Sequence, residues 1–382
     1  MAEFNFTQEL PKSEIVEAGY LEKMLDNFAS SYKLFWFRGI YIEICKGNRT
    51  MDYKRVVARM IAAAWYPVVF YKLSLGVSDK LADAIWYLHR ELHIDREEKE
   101  EKLVEFICEN QDKKLLKMIH NFTNLVPYRL IRPFYQREID YERRNDITFY
   151  DGKVNPIIEY YNKKDKNNAL YILNRLNGTL TVSEKWAEYI RINASLVEGW
   201  FNYKLIKYMQ QRNPNVPAIP FKLFPPTGKD RNLSEATAFW KLIQSKMSLY
   251  DIYTGKEFTN ENYRKFGAFS IDHFIPWSFV LHNEMWNLYP TFKNINSEKS
   301  NKLPEKARYL GKFCEYQYRA FLVTKKISKF KKISEQYLTV KNDILTIEES
   351  DRGHDVFVSA MKQTIDPLYQ IANNQGYGIW RH

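Results

Sequence analysis

Along most of this chain, apolar residues recur every three or four positions, the period of helices buried on one face. From Glu22 to Cys45 the stripe runs through Leu21, Met24, Leu25, Phe28, Leu34, Phe35, Ile40 and Ile44, and Gly47-Asn48 closes it. A second helix is expected over Asp52–Leu73, with Val56, Met60, Ala63 and Ala64 on one side and a kink at Pro67. Ser78 suits the N-cap of a helix carrying Leu81, Ile85, Leu88 and Leu92. His89 and His93 have metal-ligand spacing on that helix, but no third ligand of matching pattern lies nearby, so they read as ordinary helix residues. The charged run from Arg96 to Lys102 reads as a solvated helix face, and Lys113–Phe122 as further helix.

The period then changes. Asn124–Ile139 mixes Arg129, Arg132 and Arg137 with aromatic residues and two prolines. Such interleaving can hold a nucleic-acid strand, although a proline-broken connector is the favoured reading. Asp151-Gly152 signals a small hairpin within Ile147–Val154, and 163–168 reads as a polar loop. Helices resume at Ala169–Leu176 and Ser183–Gln211. Between Asn213 and Lys229 fall five of the chain's 14 prolines, so this stretch reads as an extended connector. Beyond it, helices are expected over Arg231–Leu249 (capped by Ser234), Glu305–Lys325 and Val356–Ala372. Tyr337–Val340 and Ile344–Ile347 are β-prone.

Between these helices lies a stretch of different character, from Phe269 to Pro304: D-H-x-x-P-x-S, seven residues, W-N-L-x-P, five residues, then N-x-x-K-S-x-x-L-P. Ala268–Phe274 alternates like a strand, Trp286–Tyr289 is a second short strand ended by Pro290, and Thr291 starts a helix to about Leu303. Asp272 is a hard oxygen donor of the kind Mg²⁺ takes, and Asn296 adds a neutral carbonyl oxygen. His273 is the natural general base near neutral pH. Asp272 and His273 are adjacent and point to opposite faces of a regular strand, so a break before Pro276 is needed for them to converge. Asn296 and Lys299 share one face of the following helix.

This pattern resembles the HNH nuclease family, whose core is the ββα-metal fold, and within it the HNH domain of CRISPR RNA-guided DNA nucleases. Tyr253-Thr254-Gly255-Lys256-Glu257 is similar to the segment that often precedes the Asp-His strand. The resemblance spans roughly residues 249–305. It implies Asp272 and Asn296 as metal ligands, Mg²⁺ or Mn²⁺ as cofactor, and His273 as general base. Asn287 is implied as the residue that braces the loop carrying His273, and Lys299 as one near the phosphate. Many relatives add zinc-binding Cys-x-x-Cys pairs, which this chain lacks.

Composition adds a partner. A net charge of +11 over 382 residues suits a polyanion such as DNA. Lys325, Lys326, Lys329, Lys331 and Lys332 cluster just after the motif, where they either hold phosphates or form a solvated loop. Three dispersed cysteines give no disulfide framework or zinc ribbon. With no signal-peptide pattern at the N-terminus and no apolar run of membrane-spanning length, the expected setting is the cytoplasm, away from any membrane.

The expected architecture is mainly α: a helical domain over 1–212, a Pro-rich linker over 213–232, and an HNH nuclease core with helical flanks over 233–382. The helical domain is expected to serve as a sensor, partner-binding or DNA-targeting module, with self-association left open. The expected activity is metal-dependent cleavage of DNA in prokaryotic defence or restriction. A homing-type nuclease of a mobile element, and a non-catalytic nucleic-acid-binding protein that keeps the core as a scaffold, are the alternatives.

Overall fold

Helices begin where a side chain can take up the first free N–H groups. In a computed structural model of the chain, which describes residues 9–26, 30–164, 168–224, 232–327 and 330–382, the Asp52 carboxylate accepts from Arg55 N, Asp79 from Leu81 N and Asp112 from Leu115 N. The cap expected of Ser78 therefore falls to Asp79. The chain is mainly helical and divides into two compact units, Met1–Pro214 and Asn215–His382.

The first unit carries helices α1 (Gly19–Met24), α2 (Tyr32–Cys45), α3 (Tyr53–Trp65), α4 (Lys80–Arg90), α5 (Glu100–Glu109), α6 (Lys113–Thr123), α7 (Val126–Ile131), α8 (Gln136–Asn145), α9 (Val154–Lys164), α10 (Glu184–Ile192) and α11 (Ala194–Arg212). A three-stranded antiparallel sheet joins β1 (Thr50–Asp52), β2 (Tyr171–Asn174) and β3 (Thr179–Val182), with β3 central. The long first stripe is split between α1 and α2, and Phe28 lies outside the described residues. At Pro67 the helix goes over into a π turn, Tyr66–Phe70, as the missing N–H requires. His93 leaves the helix at φ +54°, while the His89 ring bonds the Ile94 carbonyl, so the two do not form a ligand pair.

Several local readings are corrected here. Ala169–Leu176 is strand and turn: Asn177-Gly178 closes a hairpin, with Gly178 at φ +63°, and the burial of Tyr171, Leu173, Leu180 and Val182 alternates. Asp151-Gly152 is no hairpin, because Arg129 grips both Asp151 carboxylate oxygens and the chain turns straight into α9. Asn124–Ile139 is mostly helical, with Pro127 and Pro133 in first turns, where no N–H is needed. The run at 96–102 is not simply solvated, since Glu101 binds the buried Arg59.

The second unit contains α12 (Ile219–Leu223), α13 (Ser234–Lys246), α14 (Asn260–Phe266), β4 (Phe269–His273), α15 (Trp277–Val280), β5 (Leu288–Phe292), α16 (Lys293–Lys299), β6 (Leu303–Pro304), α17 (Lys306–Lys325), α18 (Lys331–Gln336), α19 (Asp351–Asn374) and β7 (Ile379–Trp380). The proline-rich stretch is thus partly helical, and its residues 225–231 lie outside those described. Buried Lys222 on α12 donates to the Phe279 carbonyl, which ties α12 to α15. Asn232, rather than Ser234, supplies the cap acceptor of α13. The β-prone runs at 337–347 form 3₁₀ turns, and Tyr337 and Ile344 are buried in the core.

Candidate active site

The site grows from one hairpin and the helix that follows it. β4 and β5 are antiparallel, pairing Asp272 with Tyr289 and His273 with Leu288. Pro290 does not end β5, which runs on to Phe292. The cross-strand bonds Lys293 N to Ala268 O and Phe274 N to Asn287 O set the hydrogen-bonded pairs at alternate positions. Ile271↔Pro290 falls between them, where the strand needs no donor. Thr291 is consequently strand, and the helix starts at Lys293. Gly267 at φ +92° leads into β4, and a Cβ there would lie 2.8 Å from Asn294 Oδ1.

Asn287 lies buried at the entry to β5. Its Oδ1 accepts from Ile275 N at 2.8 Å and its Nδ2 donates to Ile275 O at 2.9 Å. Both backbone groups of one residue are thereby clamped two positions beyond His273. α17 holds the same turn from behind, where Gln317 Nε2 donates to the Met285 and Leu288 carbonyls and Tyr337 OH donates to Gln317 Oε1.

α16 returns across β4. Lys299 Nζ, buried, donates to Asp272 Oδ1 at 3.0 Å and to His273 O at 2.8 Å. Tyr253 OH donates to Asp272 Oδ2 at 2.6 Å. Tyr253 is aimed by a tight turn in which Asp251 accepts from Thr254 N and Oγ1 and Gly255 N donates to Asp251 O. Its ring packs edge-on to Tyr309 and Trp380, 5.1 and 5.0 Å away between centroids. Burial, with Asp272 beside it, holds the Tyr253 phenol far above its ordinary pKa, so it remains a donor. One turn before Lys299, Asn296 Nδ2 donates to Ser270 Oγ and Ile271 O.

The imidazole of His273 meets a different partner, with Nε2 3.0 Å from Asn283 Oδ1. Asn283 Nδ2 donates in turn to Asn232 O, which orients its amide with the oxygen toward the ring. An acceptor at Nε2 places the imidazole proton there and the lone pair on Nδ1. Asp272 and His273 are only 4% and 2% exposed. Nearby His282 is pushed down to about 4 by burial and is neutral at neutral pH.

Residues 251–305 match the model of the HNH endonuclease family. This segment is an HNH endonuclease domain. The match is to the family as a whole and does not extend to the narrower likeness to CRISPR nucleases. Comparison with curated proteins found no match, and neither did comparison with solved structures.

HNH nucleases generally work with divalent metals. Among the described residues, no three His, Cys, Asp or Glu side chains cluster to hold an ion. Asp272 and Asn296 are oxygen donors of the kind a hard divalent cation takes, and both Asp272 oxygens already accept hydrogen bonds, from Lys299 and Tyr253. The two bonds donated by Asn296 Nδ2 leave its Oδ1 as the oxygen that could face a cation.

Two side chains bonded to Asp272 and His273 are not singled out by sequence reasoning. Tyr253 lies in the segment quoted for the resemblance, but its bond to Asp272 needs the folded turn. Asn283 sits in the seven-residue gap, which carries no pattern. Lys299, implied near the phosphate, is buried and donates to Asp272 Oδ1 and the His273 carbonyl. In the basic cluster, Lys325 Nζ donates to Ile347 O and Lys326 pairs with Glu349. Lys331 and Lys332 are exposed, and Lys329 lies outside the described residues.

Proposed function

We propose that the chain is a metal-dependent endonuclease that hydrolyses phosphodiester bonds in DNA and serves a restriction or defence role. The observation that carries this reading is the family match over residues 251–305, a segment that holds Asp272, His273, Asn287 and Asn296 on one hairpin and the helix that follows it. In this reading Asp272 and Asn296 would hold the cation, which would supply charge stabilisation when bound. His273 Nδ1 takes the proton from the attacking water. Asn283 keeps the other ring nitrogen protonated and fixes the ring. Lys299 acts as a positioning residue, holding Asp272 and the His273 carbonyl in register. The net charge of +11 and the exposed Lys331 and Lys332 favour a polyanionic substrate.

The burial of Asp272 and His273 favours a second reading, a nucleic-acid-binding scaffold. Incubation with supercoiled plasmid separates the two. Cleavage is expected only with Mg²⁺ or Mn²⁺. His273→Ala should lower the single-turnover rate by ~10²–10⁴-fold at every metal concentration while DNA binding persists. Rescue by high Mn²⁺ would make His273 a ligand instead of a base. Metal-independent cleavage, or equal rates for wild type and variant, would overturn the mechanism.

A further inference from the structure

The helical unit contains a cavity of about 470 Å³ that the nuclease reading leaves unused. It lies where five elements meet. Tyr53 comes from the first turn of α3, His120 and Thr123 from the end of α6, Tyr128 from α7, Asn155 and Glu159 from α9, and Arg175 from the β2–β3 hairpin. This volume is in the ~300–1,000 Å³ range of small-molecule sites.

Its inner wall is aromatic, and two of its polar atoms make no hydrogen bond among the described residues. Tyr53 is 8% exposed, and its hydroxyl has no hydrogen-bond partner among the described residues. Asn155 Nδ2 donates to Asn124 O, which fixes the amide, and the buried Oδ1 likewise has no partner among the described residues. Buried polar atoms of this kind are normally satisfied, so two on one cavity wall point to a missing ligand. Burial, with the Tyr128 phenol and Glu159 carboxylate alongside, holds the Tyr53 phenol protonated. Glu159 adds a carboxylate whose Oε1 takes Lys163 at 2.9 Å and whose Oε2 has Arg175 at 3.7 Å. The interior thus offers two acceptors, one hydroxyl and the aromatic faces of Tyr53 and Tyr128. At the mouth Arg175, with its side chain 73% exposed, offers a cation.

We propose that this cavity binds a nucleotide, with an amine-bearing base among Tyr53, Tyr128, Asn155 and Glu159 and a phosphate on Arg175. The acceptors require a ligand rich in N–H donors, the tyrosines suit a planar ring, and the guanidinium takes the anion. A free nucleotide and a base presented by a single strand share this chemistry.

The test is calorimetric titration of the whole chain, with divalent cations chelated, using AMP, GMP, CMP, UMP and a short single-stranded DNA. One site per chain is expected, with an amine-bearing nucleotide outbinding UMP, which lacks the exocyclic amine, by roughly fivefold or more. Saturation by mononucleotides identifies a free ligand; saturation by the oligonucleotide alone identifies a base within a strand. Tyr53→Phe should weaken binding by roughly fivefold without lowering the melting temperature of the free protein, because the hydroxyl it removes is unsatisfied there. Arg175→Ala should weaken the nucleotide by roughly tenfold and the matching nucleoside little. The proposal falls if no probe binds at millimolar concentration, if UMP binds as well as the others, or if Tyr53→Phe binds normally. A clear loss of stability in unliganded Tyr53→Phe would equally overturn it, since the hydroxyl would then serve the fold.

Discussion

Each unit buries a cation against carboxylate, and the two do so differently. In the helical unit Arg59, with no exposed surface, donates Nε to Glu43 at 2.7 Å and both Nη groups to Glu101 at 2.8 and 2.9 Å. Glu43 also takes Asn48 and Arg55. In the second unit Lys299 meets one carboxylate oxygen of Asp272, and Tyr253 meets the other. A planar guanidinium forked between two carboxylates is locked by geometry. An ammonium on a flexible stem is a point charge that another cation can replace. The first cluster pins α2, α3 and α5 together, whereas the second ties α16 and the Tyr253 turn to β4.

That contrast is breakable. Arg59→Met should cost about 3–5 kcal/mol in urea unfolding, because Glu43 Oε1 is left buried without its cation while only Oε2 keeps Asn48 and Arg55. Added Mn²⁺ should restore nothing. Lys299→Met also strands a buried carboxylate and should destabilise by about 1–3 kcal/mol, but Mn²⁺ should recover much of that loss by replacing the ammonium at Asp272. If Mn²⁺ rescues both variants or neither, the distinction between locked and replaceable clusters fails. Tyr253→Phe is a milder probe of the same carboxylate. Loss of its single hydrogen bond should cost about 1 kcal/mol, and an unchanged unfolding midpoint would remove Tyr253 from the site.

How far the sequence shows these clusters follows from the range of the interactions. The D-H, W-N-L-x-P and N-x-x-K-S groups lie close together on β4, β5 and α16, so the hairpin and its helix are legible from spacing, whereas the Asn287 clamp is implied only by the family resemblance. Pro290 misleads because its tolerance depends on which pair of the ladder it occupies, a property of register alone. Tyr253 and Asn283 act across turns without periodicity. In the helical unit, Glu43, Arg59 and Glu101 are widely separated, and a run such as REEKEEK looks solvated until α5 packs on α3. The β2–β3 hairpin carried its signal in Asn177-Gly178, but the apolar residues before it also fitted a helical period over so short a span.

The smallest effect is the most direct reading of the locked cluster. The Arg59 guanidinium, followed by Lys46, lowers the Glu101 carboxyl from its ordinary value near 4.5 to about 2. A folded-state pKa below the unfolded one means that Glu101 binds fewer protons when folded. Its contribution is therefore present above about pH 4.5 and is lost as pH falls toward 2. Because the Glu101 side chain is 56% exposed, solvent screening limits the contribution to about 0.5–1 kcal/mol. Urea unfolding of wild type and Glu101→Gln at several pH values isolates it, since the other carboxylates titrate in both proteins. The wild type should lead near neutrality and the lead should shrink through the acid range as Glu101 protonates. A constant difference down to pH 2 would show that the carboxylate charge contributes nothing, leaving hydrogen bonding and packing to hold Arg59 in place.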